Sequence, residues 1–511
     1  MDSSSLSFKA VSKLVARSLP LFSAARSTGT TCLSLKSSLN LENTTIIDVS
    51  YVPAGSRVAT LGTCDTTANV SVPLCRVQFF TNTTDTSVVH AEAWLPDEWY
   101  GRFLGLGNPG LGGCIDYGGL DYGSFLHFAT VGSDNGHDTL SGADFLGHPE
   151  IINDFAFRAV HVEAVIGKQI ADAYYGRPHR KSYYMGCSTG GRQGTQAALK
   201  FPADFDGVLA GAPATDFNHL VHWTNMLAQD IGAPDPGSSP AFIPQALWDA
   251  IAAEIMNQCD DIDGVVDGII TEPDACEFRP EVLLCGSGAP VGACLTRPQV
   301  KALSKIYSPL YGRANKLLYP RYDPGAIPVP GDIFSGVIPQ RSKEWIEYAV
   351  LNDTNFNFTE YGLKDAILMD KINPGGVATF DGHMSAFRDR GSKFITFHGR
   401  NDPASNSKRV YDLISRTLRM PSLDTFYRLF LIPGMGHCAF GPGATRFGSR
   451  ASNAVNTSSH NILLALVDWV EGGVAPDTII GTADNGATRP HCRYPQRSVW
   501  NVSKGKFKCE V

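Results

Sequence analysis

The sequence predicts an α/β fold built on a parallel sheet and interrupted by one large insertion. Three observations carry this: short apolar strands alternate with helical segments early in the chain, the alternation resumes near its end, and between the two it disappears. Ser87–Leu95 reads as a strand ended by Pro96, and Arg102–Leu106 as a second, running into the glycine-rich Gly105–Gly113. Phe128–Val131 is a short apolar strand. A helical pattern spans Asp154–Tyr175 and stops at Gly176 and Pro178. Ser182–Met185 (strand), Arg192–Lys200 (helix) and Gly207–Ala210 (strand) complete the first run. Lys393–Phe397 (strand), Ser407–Arg419 (helix), Phe426–Ile432 (strand) and Asn461–Glu471 (helix, ended by Gly472 and Gly473) form the second. From about Thr215 to Arg390 the rhythm gives way to four cysteines, Pro234, Pro236, Pro240 and many aromatics. The expected organisation is a sheet-forming core over 28–214 and 391–511, with an inserted lid over 215–390.

Composition narrows the function. The 511 residues carry 43 Lys+Arg against 50 Asp+Glu, a net charge of −7, and no Lys/Arg cluster able to neutralise a run of phosphates. Nucleic-acid and anionic-membrane binding are not expected. No stretch reaches the ~18 consecutive apolar residues of a spanning helix. Neither a G-x-G-x-x-G after a strand nor a phosphate-binding G-x-x-x-x-G-K-S/T is present, so no nucleotide or other organic cofactor is expected.

Twelve cysteines are spread along the chain without C-x-x-C or zinc-type spacing, which predicts six disulfides formed in an oxidising compartment. Seven N-x-S/T sequons, at Asn43, Asn69, Asn82, Asn352, Asn357, Asn456 and Asn501, point the same way, toward a glycosylated, secreted protein. Met1–Asn40 is basic and serine-rich but lacks an apolar core of ~7–15 residues. Residues 1–27 are read as a targeting or disordered segment, and secretion is expected from the cysteines and sequons.

At the turn between the strand Ser182–Met185 and the helix Arg192–Lys200 stands Gly186-Cys187-Ser188-Thr189-Gly190-Gly191. A bare G-x-S-x-G arises readily in a glycine-rich chain; following a strand and opening a helix, it has the context of a nucleophile elbow. The turn lifts the serine hydroxyl clear of the sheet and aims the N–H groups of a helix N-terminus at developing negative charge. A serine nucleophile needs a base, and the base an acid to orient it. In the order Ser, Asp, His, the candidates are Asp402, after the strand Lys393–Phe397, and His437, after the strand Phe426–Ile432. Both stand at carboxyl ends of strands, where open α/β sheets place their sites.

Cys187 precedes Ser188 and Cys438 follows His437. If hydroxyl and imidazole are within hydrogen-bond reach, the two cysteines are close enough to be bridged, tying the base to the nucleophile.

The run Gly186–Gly194, with His437-Cys438, Gly107-Asn108-Pro109-Gly110-Leu111-Gly112-Gly113-Cys114 and Asp204-Phe205-Asp206-Gly207, resembles the tannase and feruloyl esterase family, its fungal members most closely, over nearly all of Cys32–Cys509. The resemblance implies an α/β-hydrolase fold with a large lid, Ser188 as nucleophile, His437 as base and Asp402 as its orienter. It implies an oxyanion hole of the Thr189 and Cys114 backbone N–H groups; Thr189 also follows from elbow geometry, Cys114 from the resemblance alone. It also implies the bridges Cys32–Cys75, Cys64–Cys114, Cys259–Cys276, Cys285–Cys294 and Cys492–Cys509, a connectivity that spacing leaves open. The activity implied is hydrolysis of small or polysaccharide-linked esters of phenolic acids, as in plant cell walls, with hydroxycinnamoyl ahead of galloyl esters.

Asp260, Asp261, Asp263 and Asp267 put four carboxylates into eight residues. Their mutual repulsion is relieved either by full solvation or by a hard cation. The spacing is not that of an EF-hand, and Gly264 and Gly268 allow tight turns that point carbonyls inward. The resemblance implies a structural Ca²⁺ held by the side chains of Asp260, Asp263 and Asp267 and the carbonyls of Val265 and Ile269.

His219 and His222 lack an accompanying acidic base and are read as packing or hydrogen-bonding residues. The lid aromatics Phe217, Trp223, Trp248, Trp345, Tyr348, Phe356, Phe358 and Tyr361 read mainly as lid core, with stacking on an aromatic acyl group as the functional alternative. Two rival functions are a galloyl-specific esterase and a serine peptidase; nothing in the sequence marks a peptide-specificity site. A calcium-stabilised, non-catalytic binding module is the non-enzyme rival, opposed by the intact Ser188, Asp402 and His437.

Overall fold

The computed structural model describes residues 29–287, 293–326, 333–404, 406–449 and 454–511; the segment 1–27 read as targeting or disordered lies outside them. Nine strands form one sheet: β1 (Thr44–Val52), β2 (Leu74–Thr84), β3 (Ser87–Pro96), β4 (Arg102–Leu106), β5 (Phe128–Ser133), β6 (Lys181–Cys187), β7 (Gly207–Gly211), β8 (Lys393–Gly399) and β9 (Tyr427–Ile432). Their spatial order is β1-β2-β3-β5-β4-β6-β7-β8-β9. β1, β2 and β3 pair antiparallel, as does β3 with β5; from β5 through β9 every pairing is parallel. The short apolar runs of β7 and β8 are buried along nearly their whole length, as strands covered on both faces must be.

Helices cover both faces. One face buries α1 (Ala159–Tyr175), α2 (Thr189–Lys200) and α5 (Ser407–Leu418) against Phe103, Val131, Tyr184, Val208 and Phe394. The other buries the helix Tyr117–Phe125 and α6 (Ile462–Gly472) against Leu104, Tyr183, Leu209, Ile395 and Phe430. Asn461 caps α6 by accepting from the N–H groups of Leu463 and Leu464. The predicted helix from Asp154 begins with a π turn, Asp154–Arg158, before α1. The layered, mostly parallel sheet with a strand-order reversal at β5-β4-β6 is the α/β-hydrolase arrangement.

The chain between β7 and β8 builds α3 (Phe217–Asp230), α4 (Gln245–Cys259) and further short helices. A hydrophobic cluster of Trp223, Trp248, Ile251, Leu303, Tyr322 and Phe334 holds this segment together. A second cluster, including Phe217, Trp345 and Met369, packs it onto Leu111, Phe145 and Phe155 of the core. The insertion is thereby seated over the loops at the carboxyl ends of the parallel strands. Among the described residues no helix is long and apolar enough to cross a membrane.

Candidate active site

β6 runs into Ser188, and α2 begins at Thr189. Ser188 holds φ 64° and ψ −121°, a backbone state that side chains seldom adopt and that aims Oγ away from the sheet. Its N–H donates to Gly211 O at 2.9 Å, and its carbonyl accepts from Arg192 and Ala214. The glycine at 190 is favoured by close approach: a Cβ there would come within 3.2 Å of the Gly107 backbone, tighter than most such contacts. α2 can thus lie directly against the loop that follows β4.

Asp402 and His437 follow β8 and β9. His437 Nδ1 lies 2.7 Å from Asp402 Oδ2; the carboxylate is 1% exposed, the imidazole 47%. Burial alone would raise the Asp402 pKa, but His437 and His398 outweigh it and hold the carboxyl well below the usual carboxylate range. The ring of His437 is fixed on its Nδ1 side by an anion, which leaves Nε2 as the proton acceptor. Cys187 and Cys438 are bonded, S–S 2.05 Å, joining the residue before the serine to the residue after the histidine across 251 positions. Cys438 itself takes φ 64° within the tight loop from Gly436 to Phe440. The five pairings implied by resemblance, Cys32–Cys75, Cys64–Cys114, Cys259–Cys276, Cys285–Cys294 and Cys492–Cys509, are all present.

Thr189 is the first residue of α2, where backbone N–H groups have no acceptor within the helix. Its hydroxyl donates to Gly110 O at 2.5 Å. Cys114 is tied to this helix by side chains that sequence reasoning left without a role. Asn108 Nδ2 donates to Cys114 O (2.9 Å) and Ser133 O (2.7 Å). Gln193, one turn into α2, accepts from Asn108 N–H at 2.9 Å and donates to Asn108 Oδ1 (3.1 Å) and Asn135 Oδ1 (2.9 Å). All of these groups are buried. Arg192 is fully buried and, among the described residues, pairs with no carboxylate, donating instead to the carbonyls of Phe155 and Ala156; burial lowers its pKa to about 10. Asn108, Arg192 and Gln193 all lie in the glycine-rich runs that carry the family resemblance, but nothing local marks what each side chain does.

The aspartate loop is stapled by Cys259–Cys276. Asp260 accepts from the N–H groups of Gly268 and Ile269, Asp263 from Val265 N–H and Thr271 Oγ1, and Asp267 from Ile269 N–H. Arg489, remote in sequence, reaches within 3.8 Å of Asp263 and 3.9 Å of Asp267. Among the described residues no three His, Cys, Asp or Glu side chains converge as a metal site. The donor set is nonetheless all oxygen, and the one guanidinium reaches only two of the three carboxylates. Asp267 stays above the usual carboxylate range, chiefly through burial and in part through Asp263 and Asp260, despite Arg489. The chemistry suits a hard cation.

Of the lid aromatics, Phe217, Trp223, Trp248, Trp345, Phe358 and Tyr361 are buried in lid core, and Tyr348 and Phe356 are packed against it. His219 bridges Asp216 and Asp370, both at 2.9 Å, and His222 bonds the Tyr361 hydroxyl at 3.0 Å. Both histidines serve packing and hydrogen bonding.

The chain matches the family described as tannase and feruloyl esterase over residues 75–510. It is 43% identical over 467 residues to a probable feruloyl esterase B-2 of Aspergillus flavus, covering 87% of this chain and 89% of the relative. It is 40% identical over 488 residues to a probable feruloyl esterase B of Emericella nidulans, covering 92% of each. The crystal structure of feruloyl esterase B from Aspergillus oryzae superposes with a TM-score of 0.90 at 37% identity, covering 94% of this chain and 100% of that one. Tannin acyl hydrolase from Aspergillus niger shares the fold, with a TM-score of 0.75 at 22% identity over 95% of each chain. With a serine elbow bridged to a histidine–aspartate pair and a match spanning most of its length, the chain belongs to the tannase and feruloyl esterase family.

Proposed function

We propose that the chain is a serine carboxylesterase acting on esters of hydroxycinnamic acids, with Ser188, His437 and Asp402 as its triad. The observation that carries this reading is the His437–Asp402 pair, 2.7 Å apart, bound covalently to the serine elbow through Cys187–Cys438. Ser188 Oγ attacks the ester carbonyl while His437 Nε2 takes its proton, and Asp402 stabilises the imidazolium. The alkoxide of the tetrahedral intermediate is received by the N–H groups of Thr189 and Cys114. His437 returns the proton to the departing alcohol, leaving an acyl-Ser188, and water repeats the sequence to release the acid. Relatives named feruloyl esterase B, similar over most of both chains, favour the hydroxycinnamoyl over the galloyl reading.

The aspartate loop, in this reading, holds Ca²⁺ through Asp260, Asp263, Asp267 and the carbonyls of Val265 and Ile269. The ion would supply charge compensation and loop rigidity and take no part in the chemistry. Six disulfides, and six exposed sequon asparagines with Asn501 half-buried, support an oxidising route and secretion as a glycoprotein.

The test is hydrolysis of methyl ferulate, chlorogenic acid and methyl gallate side by side by the parent and Ser188→Ala. The cinnamoyl esters are expected to turn over faster than the gallate, and the folded alanine variant to lose essentially all turnover. Near-parental hydrolysis by the variant removes the mechanism; a gallate preference reverses the substrate assignment.

A further inference from the structure

His398, the penultimate residue of β8, stands four positions before Asp402 and is 2% exposed. Its Nε2 lies 3.1 Å from Asp402 Oδ2, the same oxygen that meets His437 Nδ1, in an alignment short of a full hydrogen bond and, among the described residues, with no other polar partner. Its Nδ1 lies 2.6 Å from the hydroxyl of Ser407, at the start of α5. The other carboxylate oxygen, Oδ1, accepts from Ala404 N–H at 3.0 Å.

In the neutral ring these contacts select one tautomer. A bare Nε2 lone pair facing a carboxylate oxygen would be repelled, so Nε2 carries the proton and points it at Asp402. Nδ1 is then the acceptor, and the Ser407 hydroxyl donates to it. The chain Ser407–His398–Asp402–His437 runs from a helix start through the buried carboxylate to the exposed imidazole, and each link orients the next.

We propose that His398 is a positioning residue of the triad, donating from Nε2 to Asp402 Oδ2 so that the carboxylate is held in place and its negative charge is shared between two imidazoles. The inference rests on the triad reading above. Two consequences separate it from ordinary core packing. Without His398 the carboxylate loses an orienting donor, so His437 is placed less accurately. The Asp402 charge is also concentrated on His437, so the His437 imidazolium is favoured and the base loses its proton only at higher pH.

Several titratable or charged groups face this pocket. Arg400 is paired with Asp274 (3.2 Å) and Asp323 (3.5 Å), and Arg321 acts on Asp323. The phenols of Tyr319 and Tyr322 are kept neutral by burial. Asp323 is pushed up to about 6 by burial and titrates in the range of interest. An Asp323→Asn background therefore serves as the control.

The experiment measures kcat/KM on methyl ferulate against pH for the parent, His398→Ala and His398→Gln, each also carrying Asp323→Asn in a parallel set. In His398→Ala the acid limb is expected to move to higher pH by about 0.5–1 unit. Its kcat should fall roughly tenfold at unchanged KM. Glutamine can donate to Asp402 and accept from Ser407, so His398→Gln should bring the limb back to the parental position, and the same pattern should persist with Asp323→Asn. A limb that stays put in His398→Ala, that glutamine fails to restore, or that moves only while Asp323 is present overturns the proposal. If the alanine variant does not fold, Ser407→Ala carries the test: it frees the His398 ring, should shift the limb in the same direction, and overturns the proposal if it does not. Fluorophosphonate labelling of Ser188 in the parent keeps the two claims apart. An unreactive Ser188 ends the triad reading, whereas a reactive Ser188 with an immobile limb ends only the role of His398.

Discussion

Replacing Cys187 and Cys438 together by serine separates the base from the nucleophile without leaving a free thiol. The bridge closes a segment of 251 positions, so in the chain-entropy model its loss costs up to about 5.5 kcal/mol. The smaller bridges Cys259–Cys276 and Cys285–Cys294 lie inside the segment and lower that ceiling slightly. Spread over a cooperative unfolding entropy scaled to 511 residues, the change corresponds to a fall in Tm of about 5 °C. The catalytic consequence is separable. Asp402 and His437 stay hydrogen-bonded, but their placement against Ser188 then depends on packing alone, and loss of that orientation should lower kcat about 10–100-fold with KM little changed. Calorimetry reads the first quantity and steady-state hydrolysis of methyl ferulate the second. A double variant that keeps both the parental Tm and the parental kcat refutes the reasoning, because the bridge would then hold nothing in place.

Asn108→Ala removes the donor to the carbonyls of Cys114 and Ser133. Left unpaired and buried, these should cost about 1–3 kcal/mol each in chemical denaturation, and kcat should fall more than KM rises. Gln193→Ala should mimic it, since it frees Asn108. Thermal scans against pH should report two histidines. His219 is lowered by burial but raised further by Asp216 and Asp370, to about 9, so the stability it contributes is complete below about 6.5 and lost as pH rises through 9; His219→Gln should flatten that interval. His491 is lowered to about 4 by burial, so its contribution is complete above about 6.5 and lost as pH falls toward 4; His491→Gln should flatten the acid side. Removing divalent ions with EDTA should lower Tm and added Ca²⁺ should restore it, while Asp263→Asn blunts both responses; identical melting in EDTA and Ca²⁺ contradicts the calcium assignment.

The parts legible in the sequence were those with a local signature. β4, β6, β7, β8 and β9 are short apolar runs between glycines and prolines, and the elbow marks itself by a serine among glycines. Asp402 and His437 could be picked out because each follows such a strand, and Cys187 with Cys438 because each adjoins a triad candidate. The antiparallel strands β1 and β2 carry no such signature: β1 includes Thr44, Thr45, Asp48 and Ser50, and only Val49 and Val52 of its nine residues are buried. The helix Tyr117–Phe125 carries three glycines in nine residues, against helix propensity, and depends on Asp116 capping the N–H of Gly119. The residues that brace the site are the least legible. Asn108 and Gln193 meet from positions 85 apart, and Arg489 reaches the aspartate loop from more than 200 residues away. His398 directly follows the apolar run Lys393–Phe397 and carries no signature of its own. Their roles come from convergence in space, which no periodicity encodes.

A covalent bond between substrate and Ser188 is the most direct consequence of the triad mechanism. Rapid acid quenching of the parent with excess methyl ferulate, followed by peptide mapping, should find the feruloyl group on the peptide containing Ser188, accumulating before steady state and absent from Ser188→Ala. A hydrolysing enzyme whose acyl group maps to another residue, or whose Ser188→Ala variant still forms the adduct, contradicts it.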